Sequence, residues 1–263
     1  MHFWSLLFLI TLLCCNHTNH ASIGAETQIQ HSNLLDTNEH LLCDRFNCPD
    51  SFERRALDSS SFAFYLSHLK LKPQGTKVRL FDGSIKPNED VYSAVIDMPI
   101  SPKDLQQCAD AVMRLRGEYL YGRKQYNAIA FRFLGDGKLH SYIDYAGNDR
   151  SYNKFLKYMD HVFSYANTAS LFAQLKSVPF YTIQAGDVFI QKGQPYGHAV
   201  IVVDMCYGPE NEKKFLLAQS YMPAQETQIL KQPGYESCWY SSQIKGRLRT
   251  PEWTFDTTDL RRW

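Results

Sequence analysis

Residues 186–221 read GDVFIQKGQPYGHAVIVVDMCYGPENEKKFLLAQSY, and the fold turns on this stretch. Three runs stand out in it: Asp187 to Gln191, His198 to Met205 and Lys214 to Tyr221. Each is rich in apolar residues, and short segments carrying Gly and Pro separate them. Runs of this length bounded by turn residues predict consecutive strands joined as an antiparallel meander.

Helical patterns dominate on the N-terminal side. Ser51 to Leu71 reads as a helix or helix pair, with Phe62, Tyr65, Leu66 and Leu69 at helical spacing. Lys77 to Phe81 reads as a strand entering a turn at Asp82-Gly83. Val91 to Met98 is apolar on both faces, as a central strand should be. Ser101-Pro-Lys-Asp104 predicts a helix start, because Ser caps, Pro suits the first turn and Asp favours the positive end of the dipole. That helix is expected to run to about Tyr121, with Leu105, Cys108, Ala109, Val112, Leu115 and Tyr119 as its apolar stripe. Asn127 to Leu134 and Lys138 to Tyr145 alternate around Gly135-Asp136-Gly137, a hairpin signal. Ser151 to Val178 reads as two helices, and Asp256 to Trp263 as a short docking helix. Helices first and then an antiparallel meander give an α+β fold, N-terminal helices packed on a mainly antiparallel sheet.

The 263 residues are 44% hydrophobic and 21% charged, enough to bury a sizeable core. Lys+Arg 28 against Asp+Glu 27 leaves a net charge of +1, so there is no basic excess to neutralise a nucleic-acid backbone. Phe3 to Cys15 is apolar but short for a membrane span, and reads as the core of an export signal. Leu12-Leu13-Cys14-Cys15 loosely resembles a bacterial lipobox with Cys15 as the lipidated residue. Simple cleavage near Ala21 or Ala25 is the alternative. The expected organisation is a signal peptide over 1–25, a polar linker over 26–50 and one globular domain over 51–263. Export to the periplasm or outer surface follows, with membrane attachment only through such a lipid.

Of the seven cysteines, two lie in the signal. Cys43 and Cys48 enclose a short loop and could pair in an oxidising compartment. With His40 they could offer three metal ligands, but no fourth is near, so no metal is expected. Three residues carry the sharper hypothesis. Cys108 lies in a helical stretch, His198 opens a strand after Gly197, and Gln219 lies on the following strand. A thiol nucleophile needs a base, and that base needs a polar group to hold its ring. Adjacent antiparallel strands would bring His198 and Gln219 together if the register agrees. The bland readings are Cys108 as a core residue on its apolar stripe, His198 satisfying a turn and Gln219 as structural. Asp187 reads as serving a turn and Asp204 as ending a strand.

The arrangement GDVFI…GHAVIVVD resembles the NlpC/P60 and CHAP cysteine peptidases and amidases. That resemblance implies a papain-like scaffold with Cys108 as nucleophile, His198 as base and Gln219 as orienting group. It also implies peptide amides, such as those of cell-wall stems, as substrate, with no cofactor. DLQQCADAVMRLRGEYL, GDVFI, GHAVIVVD and LLAQSYMPAQ together resemble a family of bacterial secreted proteins of unassigned function, over about Phe52 to Trp263. Two features depart from the peptidase pattern. The expected helix start lies two turns before Cys108, beyond useful reach of the dipole, and a long insertion separates Cys108 from His198. The rival expectation is therefore a binding or structural envelope module that keeps the scaffold without the chemistry.

Overall fold

β-Branched residues are denser in the last third of the chain, and most of the sheet is built there. The computed structural model describes residues 34–193 and 196–263, all within one compact unit, Ser32–Trp263. The expected signal peptide and the Cys14-Cys15 pair lie outside the described residues. Its helices are α1 (Leu42–Arg45), α2 (Phe62–Ser67), α3 (Cys108–Gly122), α4 (Tyr142–Ala146), α5 (Tyr152–Tyr165) and α6 (Thr168–Gln174). The first strands are β1 (Tyr92–Val95), β2 (Ala130–Arg132), β3 (Leu139–Ser141), β4 (Lys176–Ser177), β5 (Val188–Gln191) and β6 (His198–Tyr207). The remaining strands are β7 (Lys213–Gln219), β8 (Gln228–Leu230), β9 (Tyr240–Ser241), β10 (Arg247–Arg249), β11 (Thr254–Asp256) and β12 (Leu260–Arg262).

The main sheet runs β1-β8-β7-β6-β5-β12-β4, antiparallel at every pairing, and β9 lies beside β7 at the end β8 does not reach. The expected α+β class and the meander β5-β6-β7 are therefore present. Both faces of the meander are covered. Ala199, Ile201 and Val203 pack with Ala109, Val112 and Met113 of α3. The alternate residues Val200 and Val202, with Phe189, pack with Leu248 and Phe255 of the β10–β11 hairpin. Two buried faces explain why Ala199 to Val203 of β6 is apolar at every position instead of alternating. The insertion between α3 and β5 packs on the helix side through Phe155, Tyr158, Met159 and Val162 of α5, all buried. At about 1.5–3 kcal/mol for each large apolar side chain, this stripe is a main anchor of the insertion.

Several expectations are corrected. Helix α3 begins at Cys108, not at Ser101. Asp104 is spent on tertiary contacts instead of a cap, accepting from Ala224 N at 2.7 Å and Gln107 Nε2 at 3.0 Å. Ser101 donates to Asp160. The cap is supplied by Asp110, whose carboxylate accepts from Gln107 N at 3.1 Å. The C-terminal segment is not a docking helix: Leu260 is buried and β12 inserts between β5 and β4. Bidentate bonds from Arg262 to buried Asp187, at 2.6 and 2.8 Å, fasten it there. Asp187 also accepts from Gln184 N, the turn role expected of it. The second arm of the expected hairpin is short, because Ser141 caps Asp144 N and turns the chain into α4. The stretch taken as linker contributes Leu42 and Phe46 to the core.

The cysteines also differ from expectation. Cys48 is bonded to Cys206, 158 residues away, and Cys43 is free. A short-loop pair Cys43–Cys48 is thereby excluded. No helix among the described residues is long and apolar enough to cross a membrane.

Candidate functional site

Cys108 is the first residue of α3, so the free N–H groups of the helix's opening turn surround its sulfur. The sulfur thus lies in the first turn of the helix, not two turns beyond its start as the sequence predicts. The sulfur approaches the start of β6 from the helix side and lies 3.9 Å from the carbonyl oxygen of Gly197, to which the thiol donates. Only 5% of the residue is exposed. Burial pushes the thiol up to about 11, and the charge of Asp110 acts in the same direction. The N–H groups of Ala109, Ala199 and Cys108 itself oppose that rise without overcoming it.

Gly197 has a steric reason to be glycine. A Cβ there would fall 2.2 Å from Gln191 O and 2.9 Å from Thr168 Oγ1. That close approach delivers the chain into β6 with the Gly197 carbonyl on Cys108 and the next side chain, His198, buried at 1% exposure. Ile201 pairs with Ala218, and continuing this register sets Gln219 diagonal to His198 on the same face. The bond expected from sequence is present: His198 Nε2 and Gln219 Oε1 are 2.9 Å apart. Tyr221, Trp253 and Phe255 enclose the imidazole, with ring centroids at 5.1, 5.3 and 5.9 Å. Burial lowers the imidazole to about 4; the Gln219 bond opposes this and the positive charge of Lys86 reinforces it. His198 is thus neutral at neutral pH. Its other nitrogen, Nδ1, is buried without a hydrogen-bond partner.

His198 and Gln219 meet on the hairpin face at the start of β6, whereas the Cys108 thiol reaches the same end of the strand from the helix face, against the Gly197 carbonyl. His198 and Gln219 are directly bonded, whereas thiol and imidazole are not hydrogen-bonded to each other. The structure adds residues that sequence reading did not find. Gln219 Nε2 donates to Glu252 Oε2 at 2.6 Å. Glu252 pairs with Lys86 Nζ at 2.8 and 3.0 Å, and the same ammonium donates to Gln225 Oε1 at 2.9 Å. Lys86 and Glu252 are 166 residues apart in the chain, so no local spacing could have joined them. The one available signal was Glu252 beside Trp253 in the aromatic tail.

Among the described residues no group of three or more His, Cys, Asp and Glu side chains is placed to hold a metal. The disulfide to Cys206 takes Cys48 out of the His40–Cys43–Cys48 set.

Residues 42–150 and 136–262 match the family described as Domain of unknown function (4846). No curated protein and no solved structure matches the chain.

Proposed function

The chain belongs to that family, and we propose that it is an exported thiol-dependent amide hydrolase acting on peptide bonds such as those of cell-wall stems. The observation that carries this reading is the unpartnered Nδ1 of His198. Leaving a buried polar nitrogen without a partner is costly, so one on an imidazole beside a thiol calls for a reason. Here the opposite nitrogen is held by Gln219, and a thiol sits on the neighbouring peptide. In this reading the Cys108 thiol turns from the Gly197 carbonyl to Nδ1 and gives up its proton there. The sulfur then adds to the substrate carbonyl. N–H groups of the first turn of α3 receive the charge on the carbonyl oxygen. His198 returns the proton to the leaving amine, and water hydrolyses the thioester. Export is supported by the Cys48–Cys206 disulfide, which needs an oxidising compartment, and by the apolar run Phe3 to Cys15. Lipid attachment at Cys15 remains part of the proposal.

The test is release of new amino groups from cell-wall peptides by the wild-type protein and by Cys108→Ala. Loss of release in a folded Cys108→Ala supports the reading; equal release overturns it. The closed state of the site favours one alternative, a binding module without chemistry, since thiol and imidazole are both buried. Wild-type protein that binds muropeptides without cleaving them, with the same affinity in Cys108→Ala, would select that alternative.

A further inference from the structure

We propose that Glu252, anchored by Lys86, fixes the direction of the Gln219 carboxamide and thereby holds His198 as the tautomer protonated on Nε2, leaving Nδ1 without a proton. This deepens the hydrolase reading, on which it rests, by assigning positioning roles to two residues that touch neither the thiol nor the imidazole.

The two ends of a glutamine carboxamide have nearly the same shape, so shape alone does not decide which end faces a neighbour. A lysine ammonium only donates, and an ionised carboxylate only accepts. Lys86 directs its donors to both oxygens of Glu252 and to Gln225 Oε1. The carboxylate can then face Gln219 at 2.6 Å only if Gln219 presents its NH2 group. The carboxamide oxygen is forced toward His198, and the ring nitrogen 2.9 Å from it must carry the hydrogen. A neutral imidazole has a single N–H, so Nδ1 is left as a bare lone pair. The opposite tautomer would set an unprotonated nitrogen against that oxygen. Little water reaches the chain to blur the choice: the side chains of Lys86 and Glu252 are 5% and 13% exposed, and Gln219 is 1% exposed. Replacing a buried ion pair with apolar residues often costs nothing, so packing alone gives little reason to retain one here. Its place at the end of the chain from His198 gives one.

The test uses the full chain labelled with [15N]histidine and a long-range proton–nitrogen correlation at neutral pH. The His198 signals are assigned by their loss in His198→Gln. In the wild type, Nε2 is expected protonated and Nδ1 bare, at about ten to one or better given the cost of a buried mismatch. The double variant Lys86→Met with Glu252→Met removes the pair without stranding a charge. There the Nδ1–H tautomer should appear, and amide cleavage should slow by about tenfold or more, since a base in the wrong tautomer cannot take the proton. A wild-type spectrum showing Nδ1–H, or a double variant with the wild-type pattern, overturns the proposal. The wild-type spectrum alone decides if the variant does not fold. The tautomer is read without turnover. A wild type that cleaves no amide yet shows Nε2–H defeats the hydrolase reading and leaves this one standing. Cleavage that survives in the double variant with an unchanged tautomer defeats only this one.

Discussion

Burial works on Cys108 and His198 in opposite directions, and both directions favour the uncharged form. With the imidazole near 4 and the thiol near 11, the resting site is a neutral pair, not a thiolate beside an imidazolium. Attack must therefore be coupled to proton transfer. Because the thiolate is the reactive species, alkylation of Cys108 should rise about tenfold per pH unit and keep rising toward about 11. A plateau already at the ordinary thiol value of 9.0 would contradict this. His198 leaves a second signature. Its folded pKa lies below the unfolded one, so between 6.5 and about 4 only the unfolded chain takes up the proton. Its contribution is fully present above 6.5 and is lost as pH falls through about 4. The wild type should lose about 3 kcal/mol more over that interval than His198→Gln, read by denaturant titration at each pH. Parallel curves would count against the burial argument. Cys108, His198 and Gln219 could be chosen from residue type and order along the chain. Lys86 and Glu252 could not, because their pairing is made by the folded chain and by no motif.

Among the elements, the meander was readable because apolar content and turn residues coincide in it. The start of α3 was not. Ser101, Pro102 and Asp104 carry cap chemistry, but Asp104 meets the backbone of Ala224, a partner 120 positions along the chain. The quieter signal Gln107-x-x-Asp110 marked the true start. Cap signals describe what a residue can do locally, and a tertiary acceptor can claim it first. The C-terminal segment failed for a related reason: Leu260 and Arg262 have partners only once β5 and Asp187 are in place. The loop into β6 offers the sharpest test at this level. Gly197→Ala forces a Cβ against Gln191 O and Thr168 Oγ1 and should cost about 2–4 kcal/mol in denaturant unfolding. Gly122→Ala, at the end of α3 with nothing within 4 Å, should change stability by no more than about 0.5 kcal/mol. Equal effects at the two positions would mean the loop is not tightly packed.

Across the whole molecule, the sheet is covered by helices on one side and by the β10–β11 hairpin on the other, with the candidate site at the end of β6. The Cys48–Cys206 bond ties the N-terminal segment to the far end of that same strand. No reading of spacing could select this pairing, since sequence distance carries no information about which cysteines fold together. Closing a loop of this size by a disulfide stabilises by about 2–5 kcal/mol, so Cys48→Ser with Cys206→Ser should lower the unfolding free energy by that amount. An unchanged denaturation midpoint would show that the bond adds no stability. The proposed chemistry requires Cys108 to act as a nucleophile. Intact-protein mass spectrometry during turnover of a cell-wall peptide tests this most directly. An acyl adduct that maps to Cys108 and is absent from Cys108→Ala is expected. Cleavage of the peptide by Cys108→Ala at the wild-type rate, with no adduct on either protein, would contradict it.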